Sequence, residues 1–403
     1  MKKKSGADTG SRRPWVEHIV PLGIPLAWLQ LTAERKRFAA AVAGITFAVA
    51  MMLFQMGLHS ALFQQVLTPF LKLRADVYMF SSQYEYIGIP RTFATATLWR
   101  ARALPEVEAA LPLWMSPLPL KNPRTGKSRD LFVMAFEPHQ RVFADGEIDA
   151  QRASLSPGDT ALMDALAHPD FGPFAEELRE HGRVHTELND AGIDVVGLCR
   201  IGTTFVADGN LITSRDAFLR AFAGASPEQA MAGVIQLKPG SDAARVVGQL
   251  RAMLPEDVRV FTAEETLARE KAYWSDRTPI GFVITASLLV AMIVGAVIVY
   301  QILYTDVSDH LPEYATLKSM GFSDGYFVRL VLQESVILSV AGFVPGVALT
   351  LGLYHLTRTM AGIPVEIAAG NLAAVFALAL AMCMVAGALA TRKLRHANPA
   401  DIV

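Results

Sequence analysis

Four apolar stretches constrain this chain more than any other feature. They occupy residues 38–58, 279–304, 335–356 and 372–390, and none contains Asp, Glu, Lys or Arg. A helix that crosses the hydrocarbon core of a bilayer needs about 20 apolar residues at 1.5 Å rise each. A single charge at mid-bilayer costs about 2.5–3.5 kcal/mol on the insertion scale. All four therefore read as transmembrane helices. The first is too long, and starts too far from Met1, for a cleaved signal peptide, and reads as an uncleaved signal-anchor.

Composition agrees. Hydrophobic residues make up 52% of the chain and charged residues 19%, against about 25% charged in soluble domains. The deficit is local, as expected for spans beside a soluble domain. A net charge of −1 gives no case for a nucleic-acid partner. The two cysteines, Cys199 and Cys383, do not make a disulfide framework and read as structural thiols.

Lysine and arginine set the orientation. Lys2, Lys3, Lys4, Arg12, Arg13, Arg35, Lys36 and Arg37 precede the first span, and Arg392, Lys393 and Arg395 follow the fourth. Four spans put both ends on one side, and the positive-inside rule makes that side cytoplasmic. The 305–326 loop is then cytoplasmic too, although acidic: Asp306, Asp309, Glu313 and Asp324 stand against Lys318. Acidic residues count little in this rule.

The insert between the first two spans is expected outside. "DVYMFSS", "IDVVGLCRIG", "AGVIQLKPG" and "VRVFTA" read as strands, and "RTFATATLWRARAL", "PFAEELREHG", "SRDAFLRAFAG" and "DAARVVGQLRAML" as helices. The fold class expected is an α-helical membrane protein with four transmembrane helices plus a large mixed α/β extracytoplasmic domain. Two stalks join that domain to the spans. Leu62, Val66, Phe70 and Leu73 continue the first span at helical spacing, and Thr262 with Glu265 forms a capping box ahead of the second. Pro69 and Pro279 are expected to kink these stalks, which act either as connectors or as levers.

Motifs for chemistry are weak. "RTGKS" (residues 124–128) has Lys121 where a phosphate-binding loop needs glycine, and reads as an exposed basic turn. Glu177, His181 and His185 share a spacing of four, but Gly182 interrupts any helix joining them, so no metal site is expected. Glu334 is expected to reach back to the interface from the start of the third span. No nucleophile stands with a base at a recognisable motif, so the chain does not read as an enzyme. Small residues at Gly342 and Gly346, and at Ala291 and Gly295, let helices approach closely in lipid, within one bundle or between two copies.

"HLPEYATLKSMGFSDGYFVR" separates the second and third spans. A short helix is expected from Asp309, a good N-cap, with Pro312 in its first turn and Gly321 at its end. Leu311, Tyr314, Leu317 and Met320 would form an apolar stripe flanked by Glu313 and Lys318. The segment reads as an interfacial loop or as a knob that docks into another protein.

"DHLPEYATLKSMGFS" resembles the cytoplasmic loop of DevC-type permease subunits of ABC exporters, within the MacB/FtsX-like permease group. "PLAWLQLTAERKRFAAAVAGITFAV", "FVADGNLITS", "VIQLKPG", "EKAYWSDRTPIGF" and "VGAVIVYQILYTDVSDHLPEYATLKSMGF" are similar to further pieces of that family. The resemblance implies a MacB-like fold in the bacterial inner membrane and no nucleotide site in this chain. ATP and Mg2+ are then handled by a separate ABC ATPase subunit. It also implies a homodimer, a periplasmic membrane-fusion adaptor and an outer-membrane channel. The ATPase-coupling element then comprises Asp309, His310, Leu311, Pro312, Glu313, Tyr314, Leu317, Lys318, Met320, Gly321 and Phe322.

The chain divides accordingly. A cytoplasmic N-terminus with an amphipathic interfacial helix (1–37) leads to the first span (38–58) and a periplasmic domain with stalk helices (59–278). The second span (279–304), the coupling-helix loop with the start of the third span (305–334) and the third span (335–356) follow. A short periplasmic loop (357–371), the fourth span (372–390) and a cytoplasmic tail (391–403) complete it. Rival expectations are FtsX-like regulation of cell-wall hydrolases, LolC-like lipoprotein release, or a sensor that does not transport.

Overall fold

The structure, a computed structural model, describes residues 28, 31–32, 35–156, 158–204, 207–310, 312, 316, 319–361 and 365–396. The chain forms two compact units. Met1–Gly57, Ala286–Thr359 and Val365–Val403 make a helical unit, and Leu58–Thr285 with Met360–Pro364 a sheet unit.

In chain order, α1 (Arg35–Leu71) is followed by β1 (Val77–Ser81), β2 (Phe93–Ala94), α2 (Thr95–Arg100), β3 (Val107–Lys121) and β4 (Ser128–Phe136). Next come α3 (Gly146–Gln151), β5 (Thr160–Asp164), α4 (Phe174–His181), β6 (Val184–Leu188), β7 (Ala191–Cys199) and β8 (Asn210–Ser214). Then follow α5 (Arg215–Ala221), β9 (Gln229–Ala230), β10 (Ala232–Leu237), α6 (Ala243–Met253), β11 (Val258–Thr262) and α7 (Ala263–Asp276). Three long helices end the order: α8 (Pro279–Asp309), α9 (Asp324–Ala361) and α10 (Ala369–His396).

Among the described residues, four helices are long and apolar enough to cross a membrane: Arg35–Leu71, Pro279–Ile302, Val328–Met360 and Ala369–Leu389. The fold is therefore that of an α-helical membrane protein with four spans and a large mixed α/β domain.

The sheet unit is built on nine strands in the order β11-β1-β10-β3-β4-β8-β5-β7-β6. Strands β1 and β10 are buried at every position, in keeping with their largely apolar runs, with Ser81 and Gln236 as the buried polar residues. β3 is the hinge of the sheet. Its first half, Val107 to Leu113, pairs with β10, and its second half, Trp114 to Lys121, pairs with β4. Each half carries its main ladder on one side only. It behaves as an edge strand, where Pro112, Pro117 and Pro119 are tolerated despite lacking an N–H. Beyond β4 the sheet curls until β6 bridges back to β3 at Leu120 and Leu188. Trp114, Leu131, Met163, Phe171 and Phe218 share one core of this half, and Phe80 of β1 joins Phe132, Phe136 and Ile212 in another that spans both halves.

The stalk expectation needs correction on one side. α1 runs unbroken to Leu71, with Pro69 inside its last turn. The other stalk is two helices: α7 stops at Asp276 and α8 starts at Pro279. Proline disfavours helical geometry in the residue before it, so a helix ends more easily than it continues there. Thr278 bridges the break. Its hydroxyl donates to the Trp274 carbonyl at 2.7 Å and accepts from the Gly281 N–H at 3.3 Å. A side chain on Gly281 would collide with the carbonyls of Trp274 and Ser275. The capping box at the start of α7 is present: Glu265 N–H donates to Thr262 Oγ1 at 3.0 Å, and Thr262 N–H to Glu265 Oε2 at 3.0 Å.

Candidate functional site

The segment between α8 and α9 is partly described. Leu311, Glu313, Tyr314, Leu317 and Lys318 lie outside the described residues. Asp309 is the last residue of α8 rather than the N-cap of a new helix, because "TDVSD" keeps its helical bonds after the apolar run ends. Ser308 Oγ, for example, donates to the Tyr304 carbonyl at 2.6 Å. Asp309 instead pairs with Arg37 at 3.3 Å. Both side chains are exposed enough that the pair adds roughly 0–1 kcal/mol. His310 lies in a turn after α8.

From Pro312 to Met320 the described backbone and hydroxyls keep helical bonding. Thr316 Oγ1 donates to the Pro312 carbonyl at 2.9 Å, and the Met320 N–H to the Thr316 carbonyl at 3.2 Å. Gly321 stops the turn at φ +96°, a conformation that excludes most side chains. Met320 is 68% exposed. Phe322 packs at a tilt against Tyr326, in the first turn of α9, with ring centroids 4.8 Å apart. An exposed apolar side chain is thus joined through a short turn to an aromatic pair rooted in a long helix.

The small residues of the spans sit at close approaches within the helical unit. A Cβ on Gly342 would lie 2.5 Å from Ile45 Cγ2, and one on Gly346 2.8 Å from Val49 Cγ1. A Cβ on Gly295 would lie 3.4 Å from the Ala48 Cβ. Ala291 is buried. The packing is between helices of one chain, through α1.

Glu334 corrects an expectation. It is 1% exposed, where a residue reaching back to the interface was expected. Helical periodicity explains the difference. Glu334 falls on the face of α9 that buries Leu330, Val331, Ser335 and Leu338, so it turns into the unit.

Sequence reasoning missed Glu270. Thr266, Glu270 and Trp274 are the buried positions of α7, a stripe at spacing four whose first two members are polar and so did not read as a buried face. Glu270 Oε1 accepts the Tyr84 hydroxyl and the Ile87 N–H, the latter at 3.0 Å. Burial pushes its carboxyl up to about 7, against the opposing pull of those bonds and of Trp274.

The remaining motifs resolve plainly. Residues 122–127 form the turn of the β3–β4 hairpin, with Asn122 Oδ1 accepting from the N–H groups of Arg124 and Thr125. Glu177 pairs with Arg124 at 2.7 Å. His181 ends α4 while His185 lies on β6, so the three residues do not share a helix face. Cys199 and Cys383 are free and buried.

Four spanning helices joined to a mixed α/β domain define a polytopic membrane protein. Within it, residues 285–399 match the family model of the FtsX-like permease C-terminal domain. The match takes in most of α8, the connecting segment, α9 and α10. No curated protein sequence matches the chain. Among solved structures, the periplasmic region of MacB from Actinobacillus actinomycetemcomitans is similar at 9% identity and TM-score 0.32, covering 48% of this chain and 91% of that one. The extracellular domain of the ABC-type transporter YknZ from Gram-positive bacteria is similar at 12% identity and TM-score 0.29, covering 46% of this chain and 99% of that one.

Proposed function

We propose that this chain is the permease subunit of an ATP-driven ABC exporter of the MacB/DevC type. The observation that carries the reading is the match of residues 285–399 to an FtsX-like permease domain, a stretch that includes the 309–323 segment and the three spans around it. A separate ABC ATPase subunit binds ATP and Mg2+ and pushes on that segment. Both chain ends and the segment face the cytoplasm of a bacterium, and the sheet unit faces the periplasm. Two copies pair, and a periplasmic adaptor with an outer-membrane channel carries the cargo onward.

The push passes through contacts that cannot compress. Phe322 on Tyr326 ties the segment to α9, and Gly342 and Gly346 hold α9 against Ile45 and Val49 of α1. Close-packed interiors transmit strain rather than absorb it. Since α1 is one helix from Arg35 to Leu71, a tilt imposed at Ile45 reaches Leu71. The second stalk bends at Arg277 and Thr278 instead, so the two stalks move unequally. Substrate is expelled by motion of the sheet unit and not threaded through a polar pore.

The test is purification from native membranes through a tag on this chain. A stoichiometric ABC ATPase that needs this chain for full turnover supports the reading. ATP hydrolysis by the isolated chain overturns it.

A further inference from the structure

A cavity of about 590 Å³ opens in the sheet unit between the segment after β1, β11 and α7. Arg91, Arg259, Arg269 and Arg277 line it, with Glu85 and Asp276 as the carboxylates. Four cations against two anions leave the lining at +2. None of the four arginines forms an ion pair among the described residues, whereas Arg215 and Arg245 hold Glu137 and Glu106, each at 2.6 Å. Arg269 is positioned by the Phe261 ring, 4.5 Å below its guanidinium carbon. Glu270 lies behind Tyr84, its Oε1 already accepting from Tyr84 and Ile87, and is not part of the lining.

The depth of the site is set by the chain. Arg277 lies two residues before Pro279, where the apolar helix α8 begins. Arg269 stands eight residues further back, about 12 Å along a helix, so a phosphate shared by the two side chains lies roughly 6 Å beyond Arg277. The polar headgroup layer of a bilayer is roughly 5–7 Å thick on each side. The end of α7 is fixed by packing: Tyr86 stacks on Tyr273 at 4.5 Å and meets Trp274 edge-on at 5.4 Å, and Trp274 is buried with Phe63, Val66 and Ile284. Guanidinium groups match phosphate oxygens in a forked, two-bond geometry.

We propose that this cavity binds the phosphate of an anionic membrane-lipid headgroup at the surface where α8 enters the bilayer. The ligand chemistry is a phosphodiester, held between the loop arginine Arg91, the helix arginine Arg269 and Arg277 just beyond the end of α7. The site needs only that α8 enters a membrane, and does not rest on ATPase coupling.

The test is calorimetric titration of the purified full chain in a neutral detergent. The probes are short-chain phosphatidylglycerol, short-chain phosphatidylcholine and inorganic phosphate. Phosphatidylglycerol is expected to bind saturably and at least tenfold more tightly than either other probe. The R269Q/R277Q variant is expected to weaken it at least tenfold, and Arg91→Gln, on the segment after β1, to weaken it independently of α7. Arg200→Gln, exposed and outside the cavity, leaves binding unchanged. Absence of saturable phosphatidylglycerol binding, or binding that none of the lining variants weakens, overturns the proposal. Inorganic phosphate binding as tightly overturns the lipid assignment, and equal binding of phosphatidylcholine overturns the preference for an anionic headgroup.

Discussion

The hydroxyl of Thr46 donates to the carbonyl of Gly342 at 3.2 Å, across 296 positions of sequence. One turn further along α9, Gly346 meets Val49, and further still the Tyr354 hydroxyl donates to the Leu53 carbonyl at 2.7 Å. α1 and α9 are thus joined along a ladder of small residues and hydroxyls. Close backbone approach of this kind drives association in lipid, where apolar burial gives no advantage over lipid tails.

Gly342→Ala therefore overpacks this contact, because its Cβ would sit 2.5 Å from Ile45. Overpacking costs about 1–3 kcal/mol. Thermal unfolding in detergent is expected to show a lower Tm for Gly342→Ala. Gly352→Ala, on the same helix with open space around it, is expected to match the parent. Equal Tm values for both variants would remove the ladder from the account.

Glu270 makes the sheet unit pH-sensitive. Its folded carboxyl titrates at about 7, above the ordinary 4.5, chiefly because it is desolvated. A raised carboxyl binds its proton more tightly in the folded state. Its contribution is therefore fully present below pH 4.5 and is lost as pH rises through 7, by about 3 kcal/mol. Denaturant unfolding at pH 5 and pH 8 is expected to show this loss in the parent and a smaller one in Glu270→Gln, which keeps an acceptor for Tyr84 and Ile87. Identical pH dependence in the two proteins would contradict the burial of this group.

The capping box at the start of α7 is open to a direct measurement. Thr262→Ala removes the acceptor for the Glu265 N–H. It is expected to lower stability by about 1 kcal/mol, read as a shift in the urea midpoint. An unchanged midpoint would mean that α7 does not depend on its cap.

Orientation can be read with one cysteine. Thr125 is exposed in the β3–β4 turn, while Cys199 and Cys383 are buried and stay silent. Thr125→Cys is expected to react with a membrane-impermeant maleimide added to spheroplasts. Reaction only after the membrane is opened would reverse the topology.

Much of this fold was legible in the sequence. The uncharged runs became four spanning helices, and "VYMFS", "AGVIQL" and "VRVFT" became strands. Helix ends were less legible. α1 continues to Leu71 and α8 to Asp309, because a helix outlasts the apolar stretch that reveals it. β3 escaped because three prolines argue against a strand, and only the division of its pairing between β10 and β4 makes them acceptable. The arginine cavity was invisible for another reason. Arg91, Arg259, Arg269 and Arg277 meet only when β1 pairs with β11, a contact across more than half of the sheet unit. Of the 309–323 segment, the glycine stop at Gly321 was legible, whereas the helical state of Asp309 was not.

The central claim is that a separate ATPase works this chain through the segment ending at Gly321. Met320 is exposed, so Met320→Asp leaves the fold nearly unchanged, within about 0.5 kcal/mol, while placing a charge on the proposed contact. The decisive measurement is ATP turnover by the ATPase–permease complex reconstituted in lipid, with parent or Met320→Asp chain. The account predicts a folded variant with turnover reduced at least tenfold, or a complex that no longer assembles. Parent-level turnover and transport by the variant would contradict it.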